Sequence, residues 1–340
     1  MSLIQHTKPA LILIVTGAML MLFVARMIGH TDIIMPTFGA LMTGGWLIQD
    51  NLWHYHRFNL FLSMALAACI GLSLAILSQQ IGEWFSYIGI LIGFQMVAAI
   101  LVIGRTQIYP CFGAFSLPLI FQTTSWWYPV SVATLAGFML LVQWCLEKSG
   151  IRRPLDEGEF PNLPEHRKDR MQFYLRVSTG LIPILVIIPV MQHLGDINVH
   201  LLLQAPLFVT YTTFCNEHST FIRFPKQTWA QLVMASAIGM AFCWLSSYFA
   251  AFLSDIVAIP ICVGCSVALT LFLAGRIFVK RFPPAISMAI TPFLATSLMT
   301  SVVQVVLFPL FIAVAAAYCI FMAWVFRRHP KYENMDLHYL

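Results

Sequence analysis

The segment that decides the fold is Gly104-Arg105-Thr106-Gln107-Ile108-Tyr109-Pro110, with its counterpart Gly275-Arg276-Ile277-Phe278-Val279-Lys280-Arg281-Phe282-Pro283-Pro284. Each segment ends one long apolar stretch with a Gly-Arg pair and leads into the next apolar stretch through proline. The separation between the two Gly-Arg pairs is nearly the same as that between Pro110 and Pro284. We interpret the two segments as equivalent positions of an internal repeat.

Other landmarks recur in the same order. Three prolines, a glycine and a tryptophan of the first half each have a counterpart at a similar distance along the second half. The first-half residues are Pro36, Gly71, Pro118, Pro129 and Trp144, and their counterparts are Pro206, Gly239, Pro292, Pro309 and Trp324. Duplicated membrane bundles are a common way in which transporters are built.

The composition indicates the class of protein. The chain is 59% hydrophobic and 10% charged, whereas a typical soluble domain has roughly 25% charged residues. Apolar stretches fill almost the whole length, which predicts an all-α polytopic membrane protein rather than a globular domain with an anchor.

Twelve apolar spans can be laid out, six in each half. The first six are Pro9–Met27, Asp32–Ile48, Phe58–Leu77, Phe85–Gly104, Ile108–Phe121 and Val130–Leu146. The second six are Phe173–Met191, His200–Asn216, Trp229–Phe252, Ile256–Phe278, Pro284–Met299 and Val303–Phe326. The second and fifth spans of each half are short and contain or follow proline. Short, proline-interrupted helices at equivalent places in two repeats indicate a binding site.

The basic residues predict the topology. With a cytoplasmic N-terminus, every one of the 19 Lys and Arg residues except Arg26 falls on the cytoplasmic side, as the positive-inside rule requires. Both termini are then cytoplasmic in the inner membrane, and six spans per half make the two repeats parallel. The predicted division is residues 1–147 for the first repeat, 148–172 for a non-helical cytoplasmic linker, 173–326 for the second repeat and 327–340 for a cytoplasmic tail.

Three cations and three prolines suggest where an anion could bind. A helix that starts with proline presents first-turn N–H groups and the positive end of its dipole, which attract anions. The candidate residues are Arg105, Pro110, Arg276, Arg281, Pro283, Pro284 and Ser287. The alternative is that the cations only anchor helix ends among lipid headgroups.

Hydroxyl groups in the second spans form another candidate set. Thr210, Tyr211, Thr212 and Thr213 are consecutive, so they cover every face of a helix, and Thr43 lies in the matching span of the first half. Some of these groups must face protein or a polar cavity. We therefore add Thr43, Thr210 and Thr213 to the predicted substrate-binding residues, while the neighbouring glycines are better explained by helix packing.

Catalytic and metal-binding patterns are weak. No nucleophile elbow, phosphate-binding loop or pair of catalytic acids is visible, so we predict no enzyme activity and no cofactor. Cys262 and Cys265 have CxxC spacing without a second pair, which favours packing over zinc. A metal or proton site formed by His54 and His56 with Cys215, Glu217 and His218 is a minor alternative.

The second half resembles the HPP family of integral membrane proteins. The resemblance lies in three segments: Ala205-Pro206-Leu207-Phe208; Phe224-Pro225-Lys226 leading to Ala235-Ser236-Ala237-Ile238-Gly239; and Phe282-Pro283-Pro284-Ala285. It covers residues 200–300, with a fainter copy at 33–122, and Phe282 stands where the family has histidine. Because some members are associated with nitrite transport, the resemblance implies a small anion as substrate. The six-span repeat also resembles, more weakly, the membrane half of fusaric-acid-type aromatic acid exporters.

These observations predict a transporter of a small anion, nitrite-like or a monocarboxylate, that works by alternating access between its two repeats. The expected partners are the lipid bilayer and the anion, not nucleic acid, and a homo-oligomer or a complex with another membrane subunit stays open. Two other functions remain as alternatives: a non-transporting subunit that scaffolds a complex, and an enzyme that acts on lipid-linked substrates at the cytoplasmic surface.

Overall fold

The computed structural model describes residues 3–30, 33–48, 53, 55–82, 84–154, 167–194, 203–216, 219–295 and 302–327. All regular secondary structure within these ranges is helical. The first half contains α1 (Leu3–Ile28), α2 (Phe38–Met42), α3 (Arg57–Ile81), α4 (Trp84–Ile103), α5 (Pro110–Phe121) and α6 (Trp127–Lys148). The second half contains α7 (Arg167–Thr179), α8 (Ile182–Leu194), α9 (Ala205–Cys215), α10 (Pro225–Phe249), α11 (Asp255–Ile277), α12 (Pro283–Ile290), α13 (Pro292–Ala295) and α14 (Val302–Arg327).

The described residues contain eight helical segments that are long and apolar enough to cross a membrane. They are α1, α3, α4, α6, the segment Arg170–Pro189 formed by α7 and α8, α10, α11 and α14. The predicted all-helical membrane class is therefore confirmed. The other predicted spans, the second and fifth of each half, are occupied by short helices.

The short helices cover only part of a bilayer. Helix α2 has 5 residues and continues as a five-residue π-helical turn, Thr43–Leu47. Helices α5, α9 and α12 have 12, 11 and 8 residues, and α13 follows α12 after Thr291. At about 1.5 Å per residue, α5, α9 and α12 are roughly 12–18 Å long and α2 is roughly 8 Å long, against about 30 Å for the hydrocarbon core. The expectation that these spans are short is confirmed.

Two predicted features of the linker region differ from the structure. Helix α6 extends to Lys148 and α7 begins at Arg167, so helical structure enters both ends of the linker that we expected to be non-helical. Residues 155–166 lie outside the described ranges. The predicted span Phe173–Met191 is interrupted between α7 and α8 at Gly180, where the Tyr211 hydroxyl and the Phe326 ring of other helices pack against the backbone.

Long helices surround the short ones. Every residue of α2, α9 and α12 is buried, as are residues 110–120 of α5. Helix α3 packs on α5, and α10 packs on α12. Glycine permits the closest approach in each pair: a Cβ on Gly71 would lie 2.2 Å from the Phe115 carbonyl oxygen, and a Cβ on Gly239 would lie 2.6 Å from the Ala289 carbonyl oxygen. These glycines set the spacing between the outer and the central helices.

We predict that Gly71→Ala and Gly239→Ala each destabilise the fold by about 1–3 kcal/mol, because the added methyl group must displace backbone. Thermal unfolding of the purified protein in detergent measures the effect. Gly137→Ala on α6 is the matched control, because its Cβ would lie 3.7 Å from the Phe61 ring, an ordinary contact. Equal melting temperatures for all three variants would contradict this packing.

Candidate functional site

Four short helices meet in the middle of the protein. Helix α2 contacts α12, and α5 contacts α9, so each of these pairs joins one half of the chain to the other. Contacts between α9 and α12 and between α2 and α5 close the arrangement. We call α2, α5, α9 and α12 the central cluster. It is the candidate functional site, because it is where helix ends from both halves converge.

The contact between α2 and α12 is a hydrogen bond between buried groups. The Ala40 N–H donates to Ser287 Oγ over 2.8 Å. Gly39, one residue earlier, lies so close to α12 that a Cβ there would be 3.1 Å from the Ser287 nitrogen. Ser287, a predicted site residue, therefore connects the two halves by binding an N–H group near the start of α2.

Gly113 lies at the contact between α5 and α9. A Cβ on Gly113 would lie 2.2 Å from the Thr37 methyl group and 3.3 Å from the Ala205 carbonyl oxygen. Thr37 immediately precedes α2, and Ala205 is the first residue of α9. The starts of two short helices thus lie against the same point on a third.

The predicted threonines lie in α9 or, for Thr43, in the π-helical turn directly after α2, but their hydroxyl protons are used by carbonyl groups of the preceding turn. Thr43 Oγ1 donates to the Gly39 carbonyl over 2.8 Å. Thr210 Oγ1 donates to the Pro206 carbonyl over 2.9 Å, and Thr213 Oγ1 to the Val209 carbonyl over 2.6 Å. Such bonds to the preceding turn satisfy a buried hydroxyl inside a helix. These groups can still accept a hydrogen bond, so they suit a donor better than an anion.

The helix starts at Pro110 and at Pro283-Pro284 do not present open N–H groups. In α5 the Cys111 N–H bonds the Ile108 carbonyl over 3.2 Å, and the Phe112 N–H bonds the Tyr109 carbonyl over 2.9 Å. In α12 the first two residues are prolines, and the Ala285 N–H bonds the Phe282 carbonyl over 3.0 Å. The expectation that these first turns hold free donors is wrong, because a tight turn before each helix already uses them.

The predicted cations lie at helix ends rather than in the central cluster. Arg105 follows the end of α4 at φ 49° and is exposed, and Arg276 is exposed near the end of α11, 5.5 Å from the Phe272 ring. Arg281 is half-buried and lies against Gly275, and this burial lowers the pKa of its guanidinium. None of the three forms an ion pair with a residue in the described ranges. Cations at helix C-termini also stabilise the helix dipole.

A polar network that the sequence analysis did not predict lies at the end of α6. The Glu147 carboxylate, with a side chain only 6% exposed, pairs with Arg57, and Arg152 Nε lies 3.9 Å from its second oxygen. Gln143 Nε2 donates to the same carboxylate over 2.9 Å. Nothing local in the sequence identifies this network, because Arg57 and Glu147 are 90 residues apart.

The same network reaches the π-helical turn after α2. The Arg152 guanidinium donates to the Gly45 carbonyl, one of the groups that a helix end leaves without a partner. The Tyr55 hydroxyl donates to Gln143 Oε1 over 2.9 Å. Burial raises the pKa of the Tyr55 hydroxyl. Burial also lowers the pKa of the Arg152 guanidinium, whereas the nearby Tyr55 and Glu147 raise it. The network therefore joins the π-helical turn after α2 to the end of α6.

The minor metal alternative gains little from the structure. Cys262 is buried whereas Cys265 is exposed. His54, Glu217 and His218 lie outside the described residues. Within the described ranges, no three His, Cys, Asp or Glu side chains are close enough together to hold a metal ion.

Comparisons with known proteins give no match: no protein-family model, curated protein or solved structure is significantly similar to the chain.

We predict that Arg152→Ala destabilises the fold by about 3–5 kcal/mol, because it leaves Glu147 and the Gly45 carbonyl buried with fewer partners. Arg57→Ala is the control. Its side chain is 35% exposed, whereas Arg152 is 3% exposed and also binds the Gly45 carbonyl, so the expected loss for Arg57→Ala is the smaller of the two. Melting temperatures in detergent compare the two variants, and a larger loss for Arg57→Ala would contradict the assigned burial.

Proposed function

We propose that this protein is a membrane transporter that moves a small anion, nitrite-like or a monocarboxylate, by alternating access between two repeats. The observation that carries the proposal is the central cluster, in which each half of the chain contributes two short helices whose residues are almost all buried. Short helices that end at depth and are covered by long ones are typical of transporter binding sites.

Matched contacts support the two repeats. Helix α3 packs on α5 as α10 packs on α12. Gly71 and Gly239 approach carbonyl groups of Phe115 and Ala289, and these partners are separated along the chain by the same distance as Pro110 and Pro284. The order long, short, long, long, short, long also occurs in both halves. The segments that resemble the HPP family fall on α9, α10 and α12.

The proposed topology is twelve crossings in two parallel six-span repeats. Each short helix and its flanking residues would make one crossing, and the arrangement places the basic residues, except Arg26, on the cytoplasmic side. In this topology the halves meet where α1 packs on α11, where α4 packs on α7, and in the central cluster. Rocking of one half against the other would open the cluster alternately to each side.

The choice of an anion is supported by the cations. Arg105 and Arg276 occupy equivalent exposed positions after α4 and near the end of α11, with Arg281 close by. The chain also has a formal net charge of +5. Cations around an entrance raise the local concentration of anions and speed their association. In this proposal they attract the substrate, while the central cluster holds it.

Uptake of radiolabelled nitrite and formate into proteoliposomes tests the proposal. We predict that Arg105→Ala combined with Arg276→Ala lowers the initial uptake rate by about tenfold at low salt, and by less at high salt, because screening weakens the attraction. Lys148→Ala is the control: it removes another basic residue from the same proposed side, where Lys148 stacks over Trp144.

An unchanged rate in the double variant would contradict a role for these cations. Absence of uptake of any tested anion by the wild-type protein would contradict the proposed function itself.

A further inference from the structure

A groove lies on the outer surface of the bundle between α1, α6 and α11. It has a volume of about 460 Å³, which is within the size range of ligand sites in proteins. Leu20 and Phe23 of α1 and Ile261 of α11 line it and are exposed. The groove is therefore open to whatever surrounds the protein at this place.

The inner side of the groove adjoins the central cluster. Gly17 lines the groove and is buried, and a Cβ on it would lie 2.6 Å from the Met42 sulfur of α2 and 3.7 Å from the Trp46 ring. Phe138 of α6 also lines the groove, and its ring centroid lies 6.4 Å from that of Phe38 and 6.1 Å from that of Trp46. A molecule in the groove would therefore be one residue away from α2.

The lining of the groove is suited to hydrocarbon. Among the described residues that form it, only Thr16 has a polar side chain, and its hydroxyl proton is used within α1, where Thr16 Oγ1 lies 2.9 Å from the Ile12 carbonyl oxygen and 3.2 Å from the Leu13 carbonyl oxygen. Ordered water needs several polar partners, which this lining does not supply. An empty groove would leave the lining atoms without dispersion contacts.

The surroundings supply that hydrocarbon. Helices α1, α6 and α11 are each long and apolar enough to cross a membrane, so a groove between them opens into the bilayer. From Leu13 to Phe23 it runs about 15 Å along α1, at about 1.5 Å per residue. This is half of the roughly 30 Å hydrocarbon core, and so it is the length of an acyl chain from one leaflet.

A cation follows the groove on α1. Arg26 comes three positions after Phe23, and residues at this spacing are neighbours on a helix surface. Arg26 is half-buried, its Nε is buried without a hydrogen-bond partner, and it forms no ion pair with a described residue. It is also the one basic residue that the proposed topology leaves on the non-cytoplasmic side, against the positive-inside rule. Arginine near the end of a membrane-crossing helix reaches the depth of the lipid headgroups.

We propose that the groove between α1, α6 and α11 is a binding site for one membrane phospholipid. One acyl chain would lie against Gly17 and Phe138, and the lipid phosphate would contact Arg26. The chain would complete the packing outside α2, which makes this lipid a resident part of the structure rather than a passing neighbour. The site does not depend on the proposed transport function.

Photolabelling of the full-length protein in detergent tests where the chain lies. The probe is phosphatidylglycerol with a diazirine on one acyl chain, and labelled peptides are identified by mass spectrometry after digestion. We expect label on the groove residues of α1, α6 and α11, and we expect excess unlabelled phosphatidylglycerol to remove it. Even labelling of all outward-facing helices would overturn the proposal, as would a stable dimer whose groove residues escape the label.

Leu20→Trp tests the space in the groove, because the larger side chain occupies the place of the acyl chain. We expect the Kd for phosphatidylglycerol, measured by native mass spectrometry, to rise about tenfold, the effect of excluding about two methylene groups. Ile261→Trp on the opposite wall should have the same effect, so the test does not depend on one variant. Leu66→Trp is the matched control, because it adds the same ring to an exposed leucine of α3. An unchanged Kd in both groove variants would overturn the site.

Arg26→Gln tests the headgroup contact with two ligands, phosphatidylglycerol and a diacylglycerol that has the same acyl chains but no phosphate. We expect the Kd for phosphatidylglycerol to rise about fivefold, the effect of one cation at a membrane surface, and the Kd for diacylglycerol to stay the same. Arg26→Lys should keep most of the affinity because it keeps the charge. An equal change for both lipids would overturn the assignment of the phosphate to Arg26.

Discussion

The constraint on which this structure depends is that a helix that stops inside a bilayer leaves backbone groups without water as a partner. The helices of the central cluster are much shorter than a bilayer is thick, so many of their ends must be satisfied by protein. The long helices cover them, and specific side chains bind them. Ser287 accepts from the Ala40 N–H at the start of α2, and Arg152 donates to the Gly45 carbonyl in the π-helical turn that follows α2. At the end of α5, the Gln122 side chain donates to the Leu119 carbonyl and to Ser86 Oγ, both over 2.8 Å.

The need for such partners also explains why glycine and small residues concentrate where the central cluster contacts other helices. Backbone groups can satisfy one another across helices only if the helices approach closely, and Gly39, Gly71, Gly113 and Gly239 permit that approach. Because these helices pack so closely, a small displacement of one helix breaks its contact with the next rather than stretching it. A bundle built in this way can be stable in a few arrangements, as the proposed alternating access requires.

Much of the fold could be predicted from the sequence, because hydropathy and the positions of proline are local signals. The long helices and the shortness of α2, α5, α9 and α12 follow directly from them.

The candidate site was harder to predict, since its defining contacts join distant residues. Composition identified Thr43, Thr210 and Thr213, yet their protons bond the preceding turn. Among the described residues, Thr37 is one of four buried hydroxyl groups without a hydrogen bond, with Thr106, Ser219 and Thr270, and it looked no different from its neighbours in the sequence. The Glu147 network was also missed, because its partner Arg57 begins α3, 90 residues away from Glu147 along the chain.

In the proposed function, the two halves of the chain move against each other at the central cluster during transport. A disulfide across the α2–α12 contact tests it most directly. Ala40 N and Ser287 Oγ are 2.8 Å apart, so Ala40→Cys and Ser287→Cys would place two cysteines on facing turns of α2 and α12. In a variant whose native cysteines have been replaced, nitrite uptake into proteoliposomes is measured after oxidation and again after reduction. We predict that oxidation stops uptake and that reduction restores it. Full uptake by the protein with the disulfide formed, verified by mass spectrometry, would contradict that movement.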